Sequence, residues 1–238
     1  MLTLLAYAVL GIFFIGFGRR LWIYSQAPAP LLIPTTPAPV TRLGVMGRLF
    51  REVVFFESLF KGDKLAWIAS YLFHGALAVV LIRHIRYFVD PLPALFAHFQ
   101  IFGILAGLAM VGGLGLLFLR RLVIDRVRYI SSPSDYLVLL LLIGIGVTGL
   151  AMTFLFRPDI VTIKEVMTNL FSFSSLSLPL FSFGDALFIL HLSLVGLLLV
   201  IFPFSKLMHM GGIFFSPTRN QVDNPREVRH VNPWDGQK

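Results

Sequence analysis

The chain has 238 residues, 57% of them hydrophobic and 13% charged, with a mean hydropathy of +0.83 and a formal net charge of +8. Its charged share is about half that of a soluble domain and its apolar residues fall into runs of about twenty, which excludes an ordinary soluble domain and reads as an integral membrane protein. The basic residues sit between those runs, so they report topology rather than nucleic-acid binding; and a chain without cysteine holds no disulfide, no cysteine-ligated iron–sulfur cluster and no covalently attached c-type haem of its own.

The first apolar run, 2–18 (LTLLAYAVLGIFFIGFG), ends at Arg19-Arg20. A cleaved leader has its basic residues ahead of the apolar run rather than behind it. The run is therefore expected to stay as a first helix, despite the small-residue stretch SQAPAP at 25–30. A proline-rich stretch (APAPLLIPTTPAP) and a basic segment (TRLGVMGRLFREVVFFESLFKGDK) follow over 27–64. In the latter, Val45, Leu49, Val53, Phe56 and Phe60 recur near helical spacing, as in a short helix at a membrane interface or a loop packed under the helices.

Span two is expected at 65–87 and span three at 94–119, where Gly103 and Gly107 form a GxxxG pattern suited to close helix packing. Span four is expected at 135–156, with Ser134 or Asp135 as its cap, and span five at 184–208, kinked at Pro203. Only Arg83, Arg86, Arg157 and Lys164 fall on one side of this arrangement, and the other 16 of the 20 Lys and Arg fall on the opposite side. The positive-inside rule then places the N-terminus outside and the C-terminus in the cytoplasm. The expected fold is an all-α integral membrane protein: a five-helix bundle over 1–210 and a cytoplasmic tail over 211–238.

Four of the six histidines fall on two spans: His74 and His84 on span two, His191 and His209 on span five. The two spans run antiparallel, so His74 lies level with His209 near the inner side and His84 level with His191 near the outer side. At ~1.5 Å per residue the first two are about 15 Å apart along the axis and the second two about 27 Å, so the pairs are separated by roughly 20 Å. Eighteen residues make five whole turns, so His191 and His209 face the same way; ten leave His74 and His84 about 80° apart, within one half of their helix. Three readings fit four such imidazoles: two stacked bis-histidine haems, a proton path in a transporter, and structural polar pairing.

Two histidines ten apart on the second of five helices and two eighteen apart on the fifth resemble the respiratory nitrate reductase gamma-subunit family, which are diheme cytochromes b. RRLVIDRVRYISSPSDYLVLLLLIGIGVTGL (120–150) is similar to that family's third loop and fourth helix, and the likeness covers most of 1–210. GGIFFSPTRNQVDNPREVRHVNPW (211–234) resembles the C-terminus of the DsrM group, cytochrome b subunits of complexes associated with dissimilatory sulfite reductase. The resemblance implies two haem b groups, the inner held by His74 and His209 and the outer by His84 and His191. It implies a quinone or menaquinone site beside the outer haem and a cytoplasmic iron–sulfur partner of the DsrK kind at the inner face. Further membrane and outer-side subunits complete such a complex. The expected role is electron transfer in sulfur metabolism, as a subunit of a quinone-linked oxidoreductase in a prokaryotic cytoplasmic membrane rather than as a complete enzyme. A nitrate reductase or heterodisulfide reductase complex is the alternative within the same fold; a non-redox transporter or anchor is the alternative outside it.

Nitrate reductase members of the family carry a lysine near their quinol site at the start of the third helix. No lysine stands there in this chain; His98, Arg86 and Asp90 are the polar groups of that region. A histidine there is suited to taking a proton from an oxidised quinol. Arg83 at the outer side and Lys206 at the inner are the candidates to pair with haem propionates, against the plainer roles of snorkelling and topology. Met208 and Met210 beside His209 read as packing residues. Arg219, Asn220, Arg226, Arg229 and Trp234 are the candidate docking residues for the soluble partner.

Overall fold

The computed structural model describes residues 2–27, 37–89, 91–97, 99–175, 178 and 182–223. Among them every regular element is helical. In chain order these are α1 (Leu2–Gln26), α2 (Arg42–Phe55), α3 (Glu57–Gly62), α4 (Lys64–His84), α5 (Ala94–Ala97), α6 (Phe99–Val123), α7 (Asp125–Tyr129), α8 (Pro133–Phe154), α9 (Ile160–Phe171), α10 (Phe183–Ile201), α11 (His209–Gly212) and α12 (Pro217–Asn220). Five segments are long and apolar enough to cross a membrane: Thr3–Gln26, Lys64–Tyr87, Phe102–Val123, Pro133–Phe154 and Phe183–Phe204. At 22–24 residues each extends about 33–36 Å, the thickness of a bilayer's hydrocarbon core.

The helix starts follow from their caps. Asp63 accepts the Ala66 N–H at 2.9 Å and so opens α4. Pro133 occupies the first turn of α8, where its missing N–H costs nothing. The cap of α8 is Ser132 rather than Ser134 or Asp135: the Ser132 N–H donates to the Asp135 carboxylate at 3.0 Å, so Asp135 reaches back from the third position. Ser182 and Asp185 form the same reciprocal box at the head of α10.

The third span's helix runs to Val123 rather than 119, and two other boundaries differ more from expectation. The first helix runs on to Gln26, because LWIYS after the arginine pair continues the helix without a breaker. The fifth ends at Ile201 instead of 208. Pro203 has no N–H to continue the ladder, and the chain goes through two 3₁₀ turns, Phe202–Phe204 and Lys206–Met208, before α11. That break is held from α1: the Arg20 Nε donates to the Pro203 carbonyl at 3.0 Å, and Gly16 leaves room for the proline ring, which a β-carbon there would approach to 2.8 Å.

Between transmembrane helices the surrounding lipid is as apolar as the side chains, so close packing of small residues matters more than burial. Helix α6 meets the backbone of α4 at Gly113, where a β-carbon would lie 3.0 Å from the Ala69 carbonyl oxygen and the Phe73 nitrogen. The GxxxG pair does something else. Gly107 receives Leu150 of α8, and Gly103 leaves the channel through which the Arg83 side chain passes. Phe73, Ala76, Ala106, Met110, Leu114 and Leu139 form the core of α4, α6 and α8.

The spans pack in the order α4, α6, α8, α10, α1. Among the described residues α4 and α10 do not form a packed pair of helices, and histidine rings bring α4 to α10 and to the segment after it.

Candidate functional site

His74 of α4 and His209 at the start of α11 have ring centres 6.1 Å apart. His84 at the end of α4 and His191 of α10 have ring centres 6.4 Å apart. His209 does not reach its place as part of the fifth span's helix, so counting whole turns from His191 does not describe it. The 3₁₀ turns after Pro203 carry it there.

Each ring is tied by Nδ1. His74 bonds the Ser70 carbonyl at 2.7 Å, His84 the Val80 carbonyl at 2.7 Å and His209 the Lys206 carbonyl at 2.8 Å. A carbonyl only accepts, so these three Nδ1 atoms carry the proton and the Nε2 lone pairs are free. His191 Nδ1 instead meets the Thr148 hydroxyl at 2.9 Å. That hydroxyl donates to the Gly144 and Ile145 carbonyls at 2.8 and 3.0 Å, which leaves its lone pairs to accept the His191 Nδ1–H. All four imidazoles thus have Nδ1 occupied, so that in the neutral tautomer Nε2 carries the lone pair, with Nδ1 held as metal-ligating histidines hold it.

The spacing has a chemical meaning. Two imidazoles on opposite sides of one metal ion, each nitrogen about 2 Å from the metal and about 1 Å from its own ring centre, place the ring centres about 6 Å apart. Both pairs meet this condition. Among the described residues no three His, Asp or Glu side chains gather into a metal-binding group. Each pair alone supplies two nitrogen donors, so a metal held between them would take its remaining ligands from elsewhere.

The surroundings of the pairs differ. Phe56 stands edge-on to His74, with ring centres 5.1 Å apart, and Phe73 lies at 4.7 Å. Phe56 joins α2 to α3 in the left-handed region, φ 52° and ψ 46°. That conformation costs a bulky residue about 1–2 kcal/mol, offset here by the contacts of the ring. At the same end Arg120 pairs with Asp63; the Ala66 N–H and the Arg120 guanidinium hold the Asp63 carboxyl below its ordinary range. Lys206 Nζ bonds Asp135 at 2.7 Å, and Arg121 lies 3.7 Å from the same carboxylate. Lys206 is thereby committed to the turn that carries His209.

At the other end His84 stacks edge-on to Tyr87 at 5.7 Å, and the Arg86 guanidinium lies over the Tyr87 ring at 5.5 Å. His98 and Asp90 lie outside the described residues. Sequence reasoning passed over residues 160–171, which form the amphipathic helix α9. Its Ile163, Val166 and Met167 pack with Phe188 and Tyr87 beside the 84/191 pair. A cavity of about 450 Å³ opens there, lined by Phe88, Met167, Thr168, Phe171 and Ser172. The signal was available: Ile163, Val166 and Met167 recur at helical spacing behind Asp159, which caps Val161 and Thr162.

Of the candidate docking residues, Arg219 reaches the Glu52 carboxylate of α2 at 3.4 Å and Asn220 Nδ2 donates to the Phe214 carbonyl at 3.0 Å. Both make contacts within the chain. Arg226, Arg229 and Trp234 lie outside the described residues.

Five apolar spans and two facing pairs of histidines define a multi-pass membrane protein of the helical, imidazole-bearing kind. The chain belongs to the nitrate reductase gamma subunit family, whose model matches residues 57–229. It is 36% identical to the Hdr-like menaquinol oxidoreductase cytochrome b-like subunit of Archaeoglobus fulgidus, over 98% of this chain and 82% of that protein. The protein of the same description from Archaeoglobus profundus is 30% identical, over 97% and 81%. The nitrate reductase gamma chain of Bacillus subtilis is 29% identical over 65% of this chain and 75% of that one. The family match extends past 210 into the C-terminal segment.

Proposed function

We propose that this chain is the diheme cytochrome b subunit of a quinol-linked oxidoreductase complex, passing electrons between a membrane quinone and an iron–sulfur subunit in the cytoplasm. The single observation that carries the reading is the pair of facing imidazole couples, every one bonded through Nδ1 with Nε2 left to ligate. His74 and His209 would hold one haem b and His84 and His191 the other. Each haem would supply a one-electron centre suited to electron transfer rather than oxygen chemistry.

The chain's residues do the rest. The Ser70, Val80 and Lys206 carbonyls and the Thr148 hydroxyl fix the tautomers and the ring planes. The basic residues favour a cytoplasmic face at the His74/His209 end, where a soluble donor or acceptor would dock. The cavity under α9 lies at the opposite end, beside the cluster that includes Tyr87, and is apolar with two hydroxyls, Thr168 and Ser172. It suits a quinone headgroup. The two Archaeoglobus relatives are described as menaquinol oxidoreductase subunits, so menaquinol is the substrate we assign.

For the complex, the tail's likeness to the DsrM group favours a role in dissimilatory sulfur metabolism with a DsrK-like partner. The relatives' description supports an Hdr-like menaquinol oxidoreductase complex more broadly. A pyridine haemochrome assay on the purified chain tests the central reading. Two b-type haems per chain are expected, and a haem-free protein that is otherwise folded returns the histidines to proton transfer or packing.

A further inference from the structure

Helix α2 is amphipathic the wrong way round for water. Its buried residues are Val45, Arg48 and Glu52, two of them charged. Its exposed residues include Leu43 (77% exposed), Met46 (65%), Phe50 (60%), Val53 and Val54. At about 100° per residue these five occupy an arc of about 100°, and the buried three are centred nearly opposite. Arg42 and Arg51 fall on the two edges of the apolar arc, about 180° apart. The inward charges have uses: Glu52 accepts the Ser58 N–H at 3.2 Å and the Ser58 hydroxyl, and it pairs with Arg219 of α12.

A second, independent observation fixes where the helix ends. The Trp67 indole N–H donates to the Phe55 carbonyl at 2.7 Å. Trp67 belongs to the first turn of a membrane span, where it stacks on Tyr71 at 5.1 Å and meets Phe60 at 5.0 Å. Tryptophan and tyrosine gather at the boundary between hydrocarbon and headgroups. The C-terminal end of α2 is thus pinned at that boundary, next to the exposed apolar Leu65, Ile68 and Leu72 of α4.

We propose that α2 is an in-plane anchor. It lies along the membrane surface with Leu43, Met46, Phe50, Val53 and Val54 in the acyl region, Arg42 at one edge placed to reach lipid phosphates and Arg51, paired with Glu57 at 2.7 Å, at the other. The occupant of the stripe is lipid rather than a protein subunit. An apolar arc edged on both sides by arginines, continuous with an aromatic boundary and a lipid-facing span, matches a monolayer surface. The anchor also sets the level of the Phe56 elbow, which contacts His74. It stands independently of haem binding.

The chain has no cysteine, so single cysteines can be placed without background. Met46→Cys, Phe50→Cys and, as an aqueous control, Lys61→Cys are labelled with an environment-sensitive fluorophore in the full chain, reconstituted in phosphatidylethanolamine–phosphatidylglycerol vesicles. Nitroxide-bearing lipid should quench the labels at 46 and 50 at least about threefold more than it quenches the label at 61, with iodide showing the reverse order. Iodide quenching at 46 and 50 equal to that at 61 overturns the proposal. So does lipid-nitroxide quenching at 46 and 50 that disappears when the chain is purified with its partner subunits, since the stripe is then a protein interface.

Discussion

The imidazoles of His84 and His191 stand 6.4 Å apart and within 13° of parallel, whereas those of His74 and His209 stand 6.1 Å apart and cross at 82°. If each pair held a haem iron as proposed, its ring planes would direct the d-orbitals they overlap. Parallel planes split those orbitals and crossed planes leave them nearly equal. Two low-spin ferric signals of different anisotropy are therefore expected in the paramagnetic resonance spectrum, the more anisotropic belonging to the 74/209 centre. His74→Ala and His209→Ala should each remove that signal, and His84→Ala and His191→Ala the other. Loss of the same signal in His74→Ala and His191→Ala would break the pairing.

Among the described residues Thr148 is the one side chain that orients a member of the two histidine pairs; carbonyls orient the other three. Thr148→Val keeps the shape and leaves the His191 Nδ1–H without an acceptor inside the bundle. An unsatisfied buried donor costs about 1–3 kcal/mol, and removing such a supporting bond costs about 10–100-fold in metal affinity. Spectroelectrochemical titration of Thr148→Val should show a displaced midpoint or partial loss of the 84/191 centre, with the 74/209 centre unmoved. Thr148→Ser should restore it.

Lys206 reaches the pair at the other end from behind. Its side chain bonds Asp135 at 2.7 Å and its carbonyl accepts from His209. The Lys206 side chain is 73% exposed while that of Asp135 is 6% exposed, so the ion pair is partly screened and about 1 kcal/mol is a fair scale for it. Lys206→Met should lower the melting temperature by a few degrees and shift the midpoint of the 74/209 centre alone, and Lys206→Arg should recover both. A propionate partner would also move a midpoint. Asp135→Asn separates the two roles, because it disturbs the turn without touching the Lys206 charge; an unchanged midpoint in Asp135→Asn would favour the propionate.

How much of this was legible beforehand differs by element. The spans were, because uninterrupted apolar runs have few other physical solutions. The depth matching of the histidines was too, since it needs only topology and rise per residue. The break after Ile201 was half visible: Pro203 announced a kink, but the two 3₁₀ turns depend on Arg20 and Gly16 of α1, 183 and 187 residues away in the chain. The use of Gly103 was hidden for a similar reason. A GxxxG pattern does not say whether a helix or the stem of Arg83 fills the notch. The inverted polarity of α2 was hidden because a periodic pattern marks two faces without saying which one is covered.

The cavity under α9 was missed, and it yields the sharpest functional test. Thr168→Trp would fill much of the roughly 450 Å³ between Phe88, Met167 and Phe171. Haem content and both ferric signals should be unchanged, because no ligand or orienting group is touched. Reduction of the 84/191 centre by a menaquinol analogue should slow at least about tenfold, the scale expected when a bulky ring excludes a headgroup from a small apolar site. Reduction by dithionite should be unaffected. If the quinol reduces Thr168→Trp at the unaltered rate, the headgroup binds elsewhere, and Arg86, His98 and Asp90 become the residues to vary next.

Removal of the tail is the test of partner docking, and the structure decides where to cut. Deleting 211–238 would take away Gly211, which packs on Leu21, and Arg219, which neutralises the buried Glu52. Such a chain loses its partner and its own fold together, because breaking a buried ion pair from one side is costly. A stop after Asp223 keeps α12, the Arg219–Glu52 pair and the Asp223 N–H bond to the Pro39 carbonyl at 2.9 Å. It removes Arg226, Arg229 and Trp234. The shortened chain should keep both haems and their midpoints while the iron–sulfur subunit no longer co-purifies. If that subunit stays bound, docking rests on residues up to 223, and Arg219→Ala with a compensating Glu52→Ala becomes the variant that separates the internal pair from the partner contact.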